Sequence, residues 1–418
     1  MHRALVIGGS LGGLLAAHLL RAAGWHAIVF ERNEEELTGR GVGLGTHPQL
    51  IAVLRRVGIA FDETMGVRVS KVVCLDRGGK VIAEQPMART MSAWSLLYHA
   101  LLDALPSQDY CRLGKRLVQI EQNDKAVTAA FADGSRERGD LLVGADGIRS
   151  TVREQFLPQA QPIYAGYVAW RAVLDEQRVP PDVHRQIFEL YTFCVPEGEQ
   201  LLGYPVPGRD NDTAIGRRGY NIVWYRPVDS SVLEDMCTDT SGRYHAGGIP
   251  PPLIRNEVIK RVKADATALL APQIAEIFLR AEPFFQAICD VESPALVFGR
   301  VVLTGDAGFV ARPHIGAGAT KAAIDAACSR NLCAAPGMIF TLRWPVLKAR
   351  NCRSAETWWH CQGSRESICR RRSKAATKAT QHSVTSRCCC TLMARAAIRS
   401  GPWWRRADLT RICERSGV

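Results

Sequence analysis

The apolar positions of this chain change period several times, and each change marks an element. Residues 3–7 are a short continuous apolar run, the pattern of a strand buried on both faces of a parallel sheet. Over residues 11–23, Leu11, Leu14, Leu15, His18, Leu19 and Ala22 recur at helical spacing. Residues 27–31 read as a second strand and complete a βαβ start. Gly41, Gly43 and Gly45 mark a flexible loop, and residues 47–58 a helix ending at Gly58. A hairpin is predicted over 69–85, turning at Arg77-Gly78-Gly79. Residues 93–104 predict a helix with Leu96, Leu97, Ala100, Leu101 and Ala104 on one face. A further hairpin is expected over 117–131 and a buried strand over 141–145. From Tyr164 to Tyr225 the pattern becomes aromatic-rich alternation with Pro and Gly turns, as in an antiparallel sheet. Residues 252–280 are expected to be helical, and 299–304 return to a buried strand. The buried strands thus come from three separated stretches of an α/β fold, with a sheet-rich unit inserted between them.

Residues 328–418 break this order. They hold 18 of the 53 Lys+Arg but only 4 of the 41 Asp+Glu, so the formal charge of +12 belongs to the tail. Residues 1–327 carry 35 Lys+Arg against 37 Asp+Glu. A nearly neutral body has no electrostatic footprint for nucleic acid, and no such partner is expected. Cysteine divides the same way, with five in residues 1–327 and nine beyond. Five scattered thiols make no disulfide framework and suit a reducing compartment. A chain of 418 residues, 47% hydrophobic, has room for two or three globular domains. No apolar run is long enough to span a membrane. The short apolar stretch at the start meets glycines at once, without a cleavage site, so no signal peptide is expected. The cytoplasm is the expected location.

The loop Val6-Ile7-Gly8-Gly9-Ser10-Leu11-Gly12-Gly13 joins the first strand to the first helix. Gly8 and Gly13 fit G-x-G-x-x-G, while Ser10 takes the middle glycine's place, the next smallest polar choice where backbone approaches a pyrophosphate. The helix behind it aims N–H groups and a positive dipole end at that phosphate. Glu31, followed by Arg32, ends the second strand 18 residues beyond Gly13, where a carboxylate can accept hydrogen bonds from an adenosine ribose. The plain alternative is an ordinary tight strand–helix turn. Arg40, flanked by Gly39 and Gly41, can reach phosphate or be a solvated loop charge. Gly144-Ala145-Asp146-Gly147 ends a strand in a turn bearing one carboxylate, which could equally be a helix N-cap. Gly305-Asp306-Ala307 has the same strand-end pattern, so Asp306 can bind a sugar-like hydroxyl chain. Pro313 stiffens the following turn, and Gly316 and Gly318 let backbone N–H groups approach a ring carbonyl.

Taken in order, Gly8 to Gly13 with Glu31, Gly144 to Gly147, and Gly305 to Ala307 with Pro313 resemble the flavin-dependent aromatic hydroxylases, similar to para-hydroxybenzoate hydroxylase. The resemblance spans residues 1–327. Within the family it is nearest the 2,6-dihydroxypyridine 3-monooxygenase-like proteins, through Tyr167-Val168-Ala169-Trp170-Arg171, Trp224-Tyr225-Arg226-Pro227, Ile249-Pro250-Pro251-Pro252 and Ala311-Arg312-Pro313-His314. It implies a Rossmann-like FAD-binding domain (residues 1–70, 93–160 and 291–327) with an inserted antiparallel-sheet substrate domain (71–92 and 161–290). Glu31 would bind the FAD ribose and Arg40 the pyrophosphate region. Asp146 and Gly147 would serve FAD and a transiently docked NAD(P)H, Asp306 would hold the ribityl chain, and Gly316 to Gly318 would lie against the flavin. Where many relatives carry an FAD-contacting arginine, this chain has Ala93-Trp94-Ser95.

The implied reaction hydroxylates a small hydroxylated aromatic or N-heteroaromatic ring with dioxygen, through a flavin C4a-hydroperoxide whose distal oxygen attacks an electron-rich carbon. The alternatives are a flavin dehydrogenase or reductase without oxygen transfer, and an inactive remnant. A homodimer is compatible with the resemblance. His47 and His314 are the candidate bases, against packing or solvent-facing roles. Tyr191, Tyr204, Tyr220 and Trp224 are the candidate pocket walls, against plain sheet core.

A frameshift near residues 326–328 accounts for the tail's composition. Read from the last base of each codon, Met338-Ile339 must give Asp and Trp344-Pro345 must give Ala, residues that suit the missing helix. Cys388-Cys389-Cys390 lacks zinc-ligand spacing, so no metal is expected. A basic arm at Arg370-Arg371-Arg372 is the other alternative to a disordered tail.

Overall fold

The structure is a computed structural model that describes residues 1–37 and 43–333. The expectations for Arg40 and for residues 334–418 lie outside the described residues. Six strands form one sheet in the order Val297–Phe298, Val301–Leu303, Leu141–Gly144, Arg3–Ile7, His26–Phe30, Cys111–Arg112. Every neighbouring pair is parallel except the first. From the central strand Arg3–Ile7 the chain passes to His26–Phe30 on one side, and Leu141–Gly144 lies on the other. That reversal opens a crevice at the carboxyl ends of the strands, the place where open α/β sheets bind ligands.

Period-two alternation sorts this sheet's side chains between two cores. Ala4, Val6, Ala27, Val29, Leu141 and Val143 face the helices Leu11–Arg21 and Trp94–Asp103. Leu5, Ile7, Ile28, Phe30 and Leu142 face the small sheet of Leu117–Gln122, Val127–Phe131 and Arg136–Gly139. The strands are apolar throughout because both faces are covered. His18, inside the apolar helix face, meets Leu101 O through Nε2 at 2.7 Å, and its pKa is lowered by burial. The last described helix, Gly318–Cys333, packs along Leu11–Arg21 and runs through the point where the composition changes.

Eight strands make the second sheet, in the order Phe284–Asp290, Ile163–Asp175, Gly219–Pro227, Gln200–Val206, Tyr191–Cys194, Val67–Leu75, Val81–Ala93, Gly43–Gly45. Antiparallel pairing holds everywhere but between Tyr191–Cys194 and Val67–Leu75. The helix Pro181–Ile187, which the alternation did not signal, lies between Ile163–Asp175 and Tyr191–Cys194. The sheet also takes in Gly43–Gly45 and residues 67–70, which the sequence division had put with the cofactor domain.

The back of this sheet is covered by the helices Asn256–Leu269 and Pro272–Arg280. These were expected as one run, and Pro272 divides them. Proline lacks the N–H a continuing helix needs, but it suits a first turn. No helix among the described residues is long and apolar enough to cross a membrane.

Candidate cofactor and substrate site

The first strand enters its helix through a turn that only glycine can make. Gly8 has φ +107°, and a Cβ there would stand 2.4 Å from Ala145 O. A Cβ on Gly13 would stand 1.8 Å from Gly8 O, so the absence of a side chain lets helix and strand close up. Ser10 occupies the N-cap position of Leu11–Arg21 but makes no side-chain cap bond, and the first turn holds no acidic residue. The helix start therefore keeps N–H groups for an external anion. Glu31 is buried at the end of the second strand. Its Oε2 accepts the Gly9 N–H at 2.7 Å, and its Oε1 accepts the Asn33 N–H at 3.0 Å. One carboxylate thus fixes the loop from below. A carboxylate has about four acceptor positions, so capacity remains for a ribose. Arg32, the next residue, is exposed.

Asp146 combines both readings of its motif. Its carboxylate accepts Ser150 Oγ at 2.5 Å and the Val152 N–H at 3.1 Å, which makes it part of the start of helix Thr151–Phe156. The N-cap itself is Ser150, whose Oγ accepts the Arg153 N–H at 2.9 Å. Burial raises the Asp146 pKa, and the Ser150 and Val152 bonds pull it back. Gly147 follows with φ +80°, and nothing lies within 4 Å of where its Cβ would be. Arg153, 2% exposed, holds three carbonyls: Ala160 O at 2.8 Å, Ala307 O at 2.9 Å and Ile148 O at 2.6 Å. It staples the Asp146 turn to the Asp306 turn.

Asp306 is solvent-accessible, yet protein crowds it on most sides, as for a carboxylate lining a recess. That crowding raises its pKa, Lys321 lowers it, and Asp325 raises it further. Lys321 Nζ donates to Gly305 O at 3.0 Å and to Asp325 Oδ2 at 2.6 Å. Asp325 Oδ2 also accepts the Gly305 N–H at 3.1 Å. The last described helix thereby grips the turn that presents Asp306. Arg153, Lys321 and Asp325 belong to no motif. Only the i, i+4 spacing of Lys321 and Asp325 could have flagged that pair in the sequence.

The segment at Pro313 joins the two sheets. Pro313–Ile315 is a single helical turn closed by Gly316 at φ +69°. Arg312 forks onto Asp290, Nε to Oδ1 at 2.8 Å and Nη2 to Oδ2 at 2.6 Å. Tyr167 OH and His314 Nδ1 are 3.1 Å apart, and the Tyr225 ring meets His314 edge to face at 6.0 Å. His47 stands at the start of helix Pro48–Arg56 and donates from Nε2 to Gly316 O at 3.0 Å. Burial and the Arg89 charge lower its pKa to about 4, against the raising effect of the Gly316 bond. His47 is therefore a neutral tether for the Gly316 turn and a poor base. In the segment Ala93-Trp94-Ser95, Ser95 Oγ donates to Asn211 Oδ1 at 2.9 Å.

Of the four aromatic wall candidates, two face this region. Tyr191 and Tyr204 stack at 5.1 Å, and Tyr204 OH donates to Gly43 O at 3.0 Å. Burial pushes Tyr191 up to about 12, with Arg89 opposing it. Tyr220 and Trp224 are corrected to core. Both are fully buried on the back of the sheet, where Trp224 meets Phe278 and gives its Nε1–H to Glu199 at 2.7 Å. Their even spacing from each other, and odd spacing from Tyr225, puts them on the face opposite His314. Among the described residues one group of side chains has metal-ligand proximity, Glu176, His184 and Glu189. Arg218 already fills it, with Nη2 at 2.6 Å from both Glu176 Oε1 and Glu189 Oε1.

A family model described as FAD binding domain-like matches residues 164–290. The 2,6-dihydroxypyridine 3-monooxygenase of Paenarthrobacter nicotinovorans is 31% identical over 326 residues, covering 78% of this chain and 81% of that protein. The FAD-dependent urate hydroxylase of Klebsiella pneumoniae is 31% identical over 343 residues, covering 78% and 79%. The chain belongs to the FAD-dependent aromatic-ring monooxygenases. A solved structure of 2,6-dihydroxypyridine-3-hydroxylase from Arthrobacter nicotinovorans superimposes with a TM-score of 0.75 at 26% identity, over 92% of this chain and 95% of that one.

The site residues fit the FAD that such monooxygenases carry. The uncapped helix start behind Gly8 suits a diphosphate, and the recess at Asp306 suits a polyhydroxyl chain. At Gly147, Gly316 and Gly318 nothing stands where a Cβ would project, which leaves backbone open to a flat ring. The turns at Gly8, Asp146 and Asp306 follow the adjacent parallel strands Arg3–Ile7, Leu141–Gly144 and Val301–Leu303 at their carboxyl ends.

Proposed function

We propose that this monooxygenase hydroxylates a small hydroxylated aromatic or N-heteroaromatic ring, using NAD(P)H and dioxygen in the cytoplasm. The observation that carries the reading is the closure of the aromatic front of the eight-stranded sheet onto the Pro313–Gly316 turn. Tyr167 reaches His314 at 3.1 Å, and Tyr204 reaches Gly43 at 3.0 Å, beside the residues that fit FAD. FAD, when bound, supplies electrons drawn from NAD(P)H and activates dioxygen. The chain's own part is to bind the ring flat against Tyr191 and Tyr204, orient it and exclude water. His47 is unsuited to remove a ring proton, because its remaining nitrogen holds a proton only below about pH 4. The electron density for attack then comes from the substrate's own hydroxyl. The names of the 2,6-dihydroxypyridine and urate relatives support an electron-rich nitrogen ring.

Purified protein tested with hydroxypyridines and hydroxybenzoates under labelled dioxygen decides the matter. The expected result is a yellow protein that oxidises NAD(P)H on substrate addition and places labelled oxygen in the product. NAD(P)H oxidation with an unlabelled product would replace the reading with a dehydrogenase or reductase.

A further inference from the structure

Two side chains on the front of the eight-stranded sheet carry buried polar atoms that no described residue satisfies. Asn221 is fully buried, and neither its Oδ1 nor its Nδ2 has a hydrogen-bond partner among the described residues. Arg171 Nε is likewise buried without a partner. Each buried unpaired group costs about 1–3 kcal/mol, and nearly all such groups in folded proteins are paired. Two on one surface call for a ligand.

The register puts them together. Asn221 lies across from Val173 on one side and from Tyr204 on the other, while Arg171 lies across from Val223. Asn221 and Arg171 are therefore diagonal neighbours on one face. That face is the one that carries Ala169, Tyr204, Val223 and Tyr225, opposite the Trp170 and Ile222 core. It is tied to the cofactor region through Tyr204 and Gly43, and Tyr225 borders His314. Arg171 was noted in the sequence only as part of a resemblance, and Asn221 not at all.

We propose that Asn221 and Arg171 are the specificity pair for the ring, Asn221 pairing with a lactam edge and Arg171 with an adjacent ring oxygen. This rests on the monooxygenase reading above. The Asn221 amide offers one acceptor and one donor side by side. A hydroxypyridine in its pyridone form offers the complement, an N–H beside a C=O. An all-carbon ring of the same shape offers Asn221 a single hydroxyl, whose one oxygen must serve the carbonyl and the amide together in bent geometry, a weaker match than two parallel bonds. A guanidinium fork takes the oxygen, best when that oxygen is anionic. A site built for hydrogen bonds rejects a ligand that lacks them far more strongly than an apolar pocket rejects a small change of shape.

The test compares 2,6-dihydroxypyridine with resorcinol, its all-carbon isostere, on the FAD-loaded full chain. Binding is read from the flavin absorbance, and kcat/KM from labelled-oxygen incorporation. Wild type is expected to favour the pyridine by about tenfold or more, the effect of two buried hydrogen bonds made poorly. Asn221→Leu should shrink that preference to a few fold and leave thermal stability at or above wild type, since it replaces an unpaired amide with an apolar isostere. Arg171→Gln should weaken both rings alike, because both present the oxygen. A wild type that does not discriminate between the rings overturns the pairing whatever the variants do, and so does an unchanged preference in Asn221→Leu. In either case the monooxygenase reading stands as long as labelled oxygen enters one of the rings. If no ring in the panel takes up oxygen, that reading fails and the pair's role fails with it.

Discussion

Adjacent glycines at 12 and 13 should respond to alanine in opposite ways. At Gly13 the new Cβ would stand 1.8 Å from Gly8 O, against the 3.0 Å that real Cβ contacts essentially never undercut. Helix and strand would have to part by at least about 1.2 Å, at the turn proposed to hold the cofactor's diphosphate. Forced overpacking of this kind costs about 1–3 kcal/mol, and the atom met here is backbone, so the upper end applies. A loss of about 3 kcal/mol falling on the bound state is roughly 100-fold in FAD affinity. At Gly12 the new Cβ would meet only Ala322 Cβ, at 3.6 Å, an ordinary contact. Alanine there gains helix propensity of up to about 1 kcal/mol. Thermal unfolding of the apoprotein and titration with FAD should therefore separate the two variants. Gly13→Ala should melt lower and bind FAD about 100-fold more weakly, while Gly12→Ala should melt at or above wild type with affinity within a few fold. A Gly13→Ala protein that keeps wild-type affinity and stability would refute the close-approach account. Equal damage from both variants would show that the loop tolerates no side chain for some other reason.

Arg153→Met should cost about 3–5 kcal/mol in urea unfolding, because the carbonyls of Ala160, Ala307 and Ile148 lose a shared charged donor. Lys321→Met should weaken FAD binding roughly tenfold or more in a flavin-fluorescence titration, because the Gly305 turn loses one charged bond and Asp325 loses its counter-ion. Glu176 is 5% exposed; burial alone would raise its carboxyl, but the bonds from Arg218 and His184 hold it down to about 2 from a usual 4.5. A depressed carboxylate contributes its stability above its unfolded value, so about 3 kcal/mol should be lost as pH falls from about 4.5 towards 2. Glu176→Gln should flatten that part of the stability–pH curve measured by urea unfolding, and an unchanged acid limb would contradict the assignment.

The cofactor side of the site was legible because its constraints are local. A strand, a tight turn and a helix start must be contiguous, so Gly8, Gly13 and Glu31 announce themselves by spacing, as do the turns at Asp146 and Asp306. The substrate side was less legible because a sheet face is a property of pairing. Alternation shows that Tyr220 and Trp224 share a face and that Asn221 and Tyr225 share the other. It does not show which face meets helices and which meets the cofactor, since both are apolar and aromatic. Asn221 gave no signal for the same reason. A single amide in an apolar strand looks incidental until its burial and missing partners are known. His47 looked like a base because it follows a glycine loop. Its real neighbour, Gly316, is 269 residues away, and no sequence pattern links the two.

The contacts that shape the cofactor crevice come from both ends of the described chain, and the described ones at the far end come from residues 321–326, next to the change in composition. Lys321 and Asp325 hold the Gly305 turn, and Ala322, Ala323 and Ala326 close against the first helix and its surroundings. Small residues at 322, 323 and 326 let the two helices approach closely, which brings the Gly13 turn and the Asp306 turn to one crevice. The charge of the molecule and the chemistry of its site thus reside in different parts of the sequence: +14 lies beyond residue 327, while the crevice is built by a body of net charge −2. The overall basicity is therefore no guide to the ligand. What selects the ligand is the local field of Arg171 and Arg89 on the sheet front and of the uncapped helix start behind Gly8.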